Sequence, residues 1–133
     1  VNFRRREVLM KIFNDDSPLY LQLRKHIEER ILNRAIGDDE PMPSLRNMAR
    51  DYNLNPITVG NAIGALVDEG ILYKKRGVGI YVTPGARKMI IKIRTKDFAA
   101  TTLEPAINMA KQLEIPKRQI METVECIYGG NND

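Results

Sequence analysis

Between Met42 and Val82 the sequence spells two short helix signals around a tight turn, followed by a glycine-flanked hairpin signal. The first helix signal is Pro43-Ser44-Leu45-Arg46 and the second is Asn55-Pro56-Ile57-Thr58-Val59. The hairpin lies within Lys74-Lys75-Arg76-Gly77-Val78-Gly79-Ile80-Tyr81-Val82. Serine and asparagine cap helices because a side-chain oxygen accepts from a first-turn N–H, and proline in the first helical position loses no hydrogen bond there. Local chemistry therefore sets these boundaries, and it leaves few ways to arrange the pieces.

Ser44 caps a helix predicted to reach about Tyr52 and to bury Leu45, Met48, Ala49 and Tyr52. Asn53-Leu54 is the turn, and Asn55 caps the next helix. Val59, Ala62, Ile63, Leu66 and Val67 follow the spacing of a core-facing stripe, and Gly70 ends the run. Ile71-Leu72-Tyr73 and Ile80-Tyr81-Val82 are short β-rich runs, joined by a loop with glycines at 77 and 79. Upstream, Ser17 reads as cap and Pro18 as first residue of an amphipathic helix of about 18 residues. Leu19, Leu23, Ile27 and Ile31 lie on its apolar face, and Gly37, Asp38-Asp39-Glu40 and Pro41 break it.

Pro84-Gly85 separates this region from the next. From Ala86 to Ala100 the pattern is double: Met89, Ile91 and Ile93 alternate as in a strand, whereas Ile90, Ile93 and Ala100 suit a helix. A helix is the expectation. Leu103, Ala106, Ile107, Ala110 and Leu113 mark another helix, and Pro116 opens a last one with Ile120, Val124 and Ile127. The expected division is a leader over 1–9, a domain over 10–84, a helical region over 85–128 and a disordered tail over 129–133. Val8, Met10 and Ile12 alternate as a short strand could. Val1 is not an initiator, and Met10 is the candidate natural start.

The second helix of the pair has an outward stripe of Ile57, Gly60, Asn61 and Gly64. Two interior glycines cost about 1 kcal/mol each relative to alanine, so a solvated helix has no reason to keep them. Close approach to another surface explains them, either a DNA groove or a packed helix. In a major groove, Asn61 suits an adenine edge, while Ile57 and the methyl of Thr58 suit thymine methyls. Helix N-termini favour phosphate, which gives Ser44 and Asn55 a second use and aims Arg46 at phosphate or guanine; its plainer reading is a solvated arginine. Lys75 and Arg76 run into Gly77, where glycine lets the backbone reach the sugar-phosphate wall and a basic side chain enter the minor groove. The order of these parts is that of a winged helix-turn-helix, mainly α with a small β-hairpin, and it makes double-stranded DNA the leading partner. Arg4-Arg5-Arg6 reads as a DNA-touching arm or a mobile basic tail.

Composition narrows the alternatives. The 133 residues carry a net charge of +4, which suits a polyanionic partner. Residues 18–82 nevertheless hold nine Lys/Arg against eight Asp/Glu, so placement of charge matters more than its sum. That near-neutrality keeps open a winged-helix module that binds protein instead of DNA. The single Cys126 forms no internal disulfide and, with the single His26, no thiolate/imidazole zinc site; on an apolar helix face it reads as a small core residue rather than a redox sensor. His26 lies between core positions with no catalytic partner in any motif. Asp38-Asp39-Glu40 has no second cluster to complete a metal shell and reads as a solvated acidic loop. No phosphate-binding glycine loop, Gly-x-Ser-x-Gly or His-x-x-x-His arrangement appears, so an enzyme is not expected. No apolar run nears the roughly 18–20 residues of a membrane span, and the basic N-terminus leads into only a short, interrupted apolar patch. A cytoplasmic protein is expected.

With these residues in place, the chain resembles the GntR family of bacterial transcription regulators, and within it the short YtrA-type branch. The resemblance runs from Pro18-Leu19-Tyr20-Leu21-Gln22-Leu23 through the two helix signals to Leu66-Val67-Asp68-Glu69-Gly70-Ile71-Leu72 and Arg76 to Val82, about half the chain. It implies a homodimeric repressor on a palindromic operator, with Ser44, Arg46, Asn55, Ile57, Thr58, Asn61, Arg76 and Gly77 at DNA-contacting positions. The sequence departs from the family's habit at Gly60 (often arginine or another polar residue), Ile57 (asparagine or threonine), and Arg34 and Asp39 (glycines). The helical region after Gly85 is expected to dimerise through Leu103, Ile107, Ala110, Ile120, Val124 and Ile127, buried against one another or a second subunit. It is too small for an obvious ligand cavity, so no cofactor is expected.

Overall fold

The computed structural model describes residues 13–15 and 17–129. The expectations for Arg4-Arg5-Arg6, for Val8, Met10 and Ile12, and for residues 130–133 lie outside that range. The helices are α1 (Leu19–Leu32), α2 (Leu45–Tyr52), α3 (Pro56–Asp68), α4 (Ala86–Phe98), α5 (Glu104–Gln112) and α6 (Lys117–Gly129), with antiparallel strands β1 (Leu72–Lys75) and β2 (Gly79–Val82) between α3 and α4. The fold is mainly helical with one hairpin, as the residue patterns require. The segment Ala86–Phe98 is helical.

The chain divides into two compact units, one ending at Lys92 and the other starting at Ile93. In the first, a single core joins Leu23, Ile27 and Ile31 of α1, Met48 and Ala49 of α2, and Val59, Ala62, Ile63 and Leu66 of α3. Ile71, Leu72, Ile80 and Val82 close it from the hairpin side. Burying a large aliphatic side chain contributes about 1.5–3 kcal/mol, so this set is ample to hold three helices and a hairpin. Ala86 and Ile90 of α4 belong to the same core, which carries the first unit past Pro84-Gly85, where the residue pattern suggests a division. Arg87 Nε also donates to the Leu32 carbonyl at 2.8 Å. Arg24 reaches from α1 to Glu69 at the end of α3.

The start of α1 differs from expectation. Pro18 is the cap residue and Ser17 makes no capping bond; the Pro18 carbonyl accepts from the N–H groups of Leu21 and Gln22. The Ser17 carbonyl instead accepts from the Gln22 side-chain amide at 2.6 Å. The helix ends after 14 residues, because Arg34 takes a left-handed conformation with φ of 66°.

In the second unit a five-residue π-helical turn, Ala99–Leu103, precedes α5. Pro105 explains it. A proline has no N–H to offer the carbonyl four residues back and its ring collides with that carbonyl, so the chain widens before it. The Glu104 N–H bonds the Ala99 carbonyl in the wider register.

Candidate nucleic-acid interface

The joint between α2 and α3 is built from local hydrogen bonds. Ser44 Oγ accepts from the Asn47 N–H at 3.1 Å, and Asn55 Oδ1 accepts from the Ile57 N–H at 2.8 Å. Between the helices Asn53 adopts φ of 54°, a left-handed conformation that asparagine tolerates, and the Leu54 N–H closes onto the Ala49 carbonyl. Both caps and the turn therefore stand where the sequence places them.

α3 presents a bare outward stripe. Ile57 is 72% exposed and Asn61 is exposed, while Thr58 is half-buried. A Cβ built on Gly60 or on Gly64 meets no atom within 4 Å. Had the glycines served to admit another helix of this chain, that helix would stand in front of them; among the described residues none does. The helix carries no lysine or arginine.

The hairpin tip is fixed by its turn. Lys75 pairs with Gly79, and the Val78 N–H donates to the Lys75 carbonyl at 2.9 Å. Gly77 takes φ of 76°, a region that glycine enters at no steric cost. Lys74, Arg76 and Val78 are exposed at the tip. The Lys75 ammonium lies 5.0 Å from the centre of the Tyr81 ring, a cation–π contact that holds it to the sheet face. Tyr81 also stacks on Tyr73, at 5.7 Å between centroids. Arg46 is exposed at the start of α2, and neither it nor Arg76 is ion-paired among the described residues.

The acidic run is more than a solvated loop. Asp39 accepts from the Tyr73 hydroxyl at 2.7 Å, and this bond to the protonated phenol pushes the Tyr73 pKa up. Asp38 accepts from the Gly85 N–H at 3.3 Å. The Asp39 and Met42 N–H groups bond the Val82 and Ile80 carbonyls, so residues 39–42 line the free edge of β2. These partners of Asp39 and Asp38, Tyr73 and Gly85, are 34 and 47 residues away in sequence, beyond the reach of any local motif. His26, which has no partner in any sequence motif, sits half-buried between the edges of Phe13 and Tyr52. Burial first, and the Arg30 charge second, lower its pKa against an opposing effect of Glu29.

The residues expected to dimerise are not brought into a core within one chain. Ala110 is buried and Ile120 half-buried, but Leu103, Ile107, Val124 and Ile127 are exposed, the last to 71%. Cys126, expected in a core, is exposed as well, because α6 has no buried residue in the single chain. Periodicity reveals an apolar face without revealing what covers it. Among the described residues, no helix is long and apolar enough to cross a membrane, and no group of three His, Cys, Asp or Glu residues could hold a metal.

A capped helix-turn-helix followed by a basic hairpin, with an unobstructed outward stripe on its second helix, defines a winged-helix DNA-binding domain. Residues 19–82, just under half of the chain, match the gntR family of bacterial regulatory proteins. It is 35% identical over 66 residues to the HTH-type transcriptional repressor NagR of Bacillus subtilis, a match covering 50% of this chain and 27% of NagR. An uncharacterised B. subtilis regulator, YhcF, is 25% identical over 118 residues, covering 89% of this chain and 96% of its own. The B. subtilis repressor YtrA is 30% identical over 76 residues, 57% of this chain and 58% of YtrA. Among solved structures, a GntR family transcriptional regulator from Listeria monocytogenes superposes with a TM-score of 0.68 at 29% identity, over 85% of this chain and 97% of that one. The DNA-binding domain of AraR in complex with an operator superposes with a TM-score of 0.51 at 28% identity, over 53% and 92%. All three relatives are named as HTH-type transcriptional regulators or repressors.

Proposed function

We propose that the chain is a homodimeric, cytoplasmic transcriptional repressor that binds a palindromic operator, with α3 in the major groove and the hairpin tip in the minor groove. The observation that carries this reading is the open stripe on α3, where Ile57 is exposed and, among the described residues, nothing lies within 4 Å of a Cβ at Gly60 or Gly64. A helix that bears an apolar side chain and two bare glycines toward solvent is shaped for close contact with another surface. Similarity to the AraR domain bound to its operator supports DNA as that surface. In this reading Ser44 and Asn55 keep their capping bonds and offer neighbouring N–H groups to phosphate, as helix N-termini do. Arg46, Lys75 and Arg76 neutralise phosphate or enter a groove, Gly77 lets the wing backbone approach, and Ile57, Thr58 and Asn61 meet base edges. The exposed face of Leu103, Ile107, Val124 and Ile127, with Ala110 and Ile120 beside it, pairs with a second copy. A two-fold dimer then spaces its α3 helices roughly 34–36 Å apart, one turn of DNA. Similarity to YtrA, and to YhcF over nearly its full length, supports the short YtrA-type branch.

The test is operator binding against salt, using a duplex enriched by the protein from a random pool. Arg46→Ala and Arg76→Ala are each expected to weaken binding and to flatten the salt slope by about one unit for each phosphate left without its cation. An unchanged slope in both variants removes these residues from the DNA interface. Retention on DNA that is insensitive to salt and to the double substitution turns the reading toward a protein-binding module.

A further inference from the structure

α3 is unusual for a groove-reading helix in what it lacks. From Pro56 to Asp68 it contains no lysine, arginine, histidine or glutamine, and its one charge is Asp68 in the last position. Guanine shows the major groove two acceptors, O6 and N7, and is best met by a forked or charged donor. None is available here. Between Pro56 at its start and Asp68 at its end, both exposed, the exposed side chains are Ile57 and the Asn61 amide, with the hydroxyl and methyl of half-buried Thr58 beside them. A branched apolar side chain facing a base edge is favoured by the thymine C5 methyl. Against cytosine it would leave the N4 donor dehydrated and unpaired. The asparagine amide, one donor and one acceptor, matches the N6/N7 edge of adenine. Gly60 and Gly64 have open space where their Cβ atoms would stand, so the backbone can come close enough for these short side chains to reach.

We infer that the part of each half-site under α3 is made of A·T pairs, with a thymine methyl seated on Ile57 and an adenine on Asn61. This rests on the proposed placement of α3 in the major groove. The four-residue separation corresponds to about 6 Å along the helix axis. For a helix lying along the groove that is about two base steps of roughly 3.4 Å. Any guanine in the half-site is then read from another element, for which Arg46 is the exposed candidate.

The experiment is selection from two random duplex pools, one copied with thymidine triphosphate and one with deoxyuridine triphosphate, which lacks only the C5 methyl. The wild-type protein is expected to enrich thymine at a fixed position of each half-site in the first pool and to lose that preference in the second. Affinity for the enriched duplex should fall about fourfold per methyl removed. Ile57→Ala should lose the preference in the thymine pool and show no further loss with uracil, whereas Ile57→Val, which keeps a branched methyl, should retain it. Asn61→Ala should relax the adenine position. Ile57 and Asn61 are exposed, so unchanged thermal melting of these variants is expected. Salt-sensitive enrichment of the same sequence from both pools, or a guanine lost on substituting Ile57 or Asn61, overturns the inference and leaves DNA binding standing. No enriched duplex and no salt-sensitive retention in either pool overturns both.

Discussion

The two units of this chain treat apolar side chains in opposite ways. Up to Lys92, α1 to α3, the hairpin and the first turns of α4 bury their aliphatic residues in one another, with Leu23, Val59, Ala62, Leu66 and Val82 wholly enclosed. From Ile93 onward, only Ala110 is buried among the described residues, while Phe98, Leu103, Ile107, Leu113, Val124 and Ile127 stay exposed. The first unit therefore has a core sufficient to define its fold by itself. The second has the residues of a core without the enclosure, and exposed apolar patches of that kind mark interaction surfaces. Among the described residues of the first unit, the two most exposed large apolar residues, Ile57 and Val78, lie on the helix and hairpin tip assigned to DNA, while Leu19, Tyr20, Leu21 and Ile91 are exposed to a lesser degree. High exposure in the first unit thus falls on the helix and hairpin tip proposed to meet DNA.

Substitution on the two sides gives the sharpest check on this contrast. Leu66→Ala, at 0% exposure in the first core, should cost about 2–5 kcal/mol through lost transfer energy and an unfilled cavity. That loss should appear in thermal or denaturant melts at any protein concentration. A melt that barely moves would mean that the core around α3 can collapse around the gap, weakening the view of a self-sufficient unit.

Ile107→Asp addresses the other side, with a smaller effect on the melt and a different signature. Ile107 is 48% exposed in the single chain, and a surface substitution away from special features changes stability by only about 0.5 kcal/mol. If a second copy covers it, the buried carboxylate disrupts association: sedimentation should give a monomer, and the concentration dependence of the wild-type Tm should vanish. A wild-type protein that is already monomeric, with a concentration-independent Tm, breaks the assignment of this face to dimerisation.

Much of the first unit is legible in the residue types because its determinants are local. Ser44, Asn55-Pro56, Asn53 and Gly70 each act within a few residues, and each is found in the role its chemistry suggests. The bare stripe of Gly60 and Gly64 is legible for the same reason, since helical spacing alone puts them together. What stays hidden depends on distant partners. The Asp39–Tyr73 bond and the pairing of residues 39–42 with β2 require the folded hairpin, so the acidic run looks merely hydrophilic in the sequence. The π turn requires Pro105 to be weighed against a helix already under way, rather than taken as the start of a new one. Cys126 is misplaced by its periodicity because an apolar face on α6 says nothing about which molecule encloses it.

The smallest expected effect tests whether enclosure in the first unit extends to its polar edge. His26 is half-buried against Phe13 and Tyr52, and burial, aided by Arg30, holds its pKa below the ordinary 6.5. The unfolded chain therefore binds more protons at this site than the folded one in the interval between the two pKa values. Stability from this group is fully present above the unfolded value, declines as pH falls through about 6.5, and levels off below the folded pKa. His26→Phe keeps an aromatic ring among its neighbours but cannot titrate. Wild-type Tm should accordingly fall more than the variant's between about pH 7 and about pH 5. The difference between the two profiles removes the common contribution of the carboxylates, which both proteins share. Parallel profiles would mean that the aromatic contact is loose enough for the imidazolium to stay hydrated, and that the tight enclosure of the first unit stops at its aliphatic core.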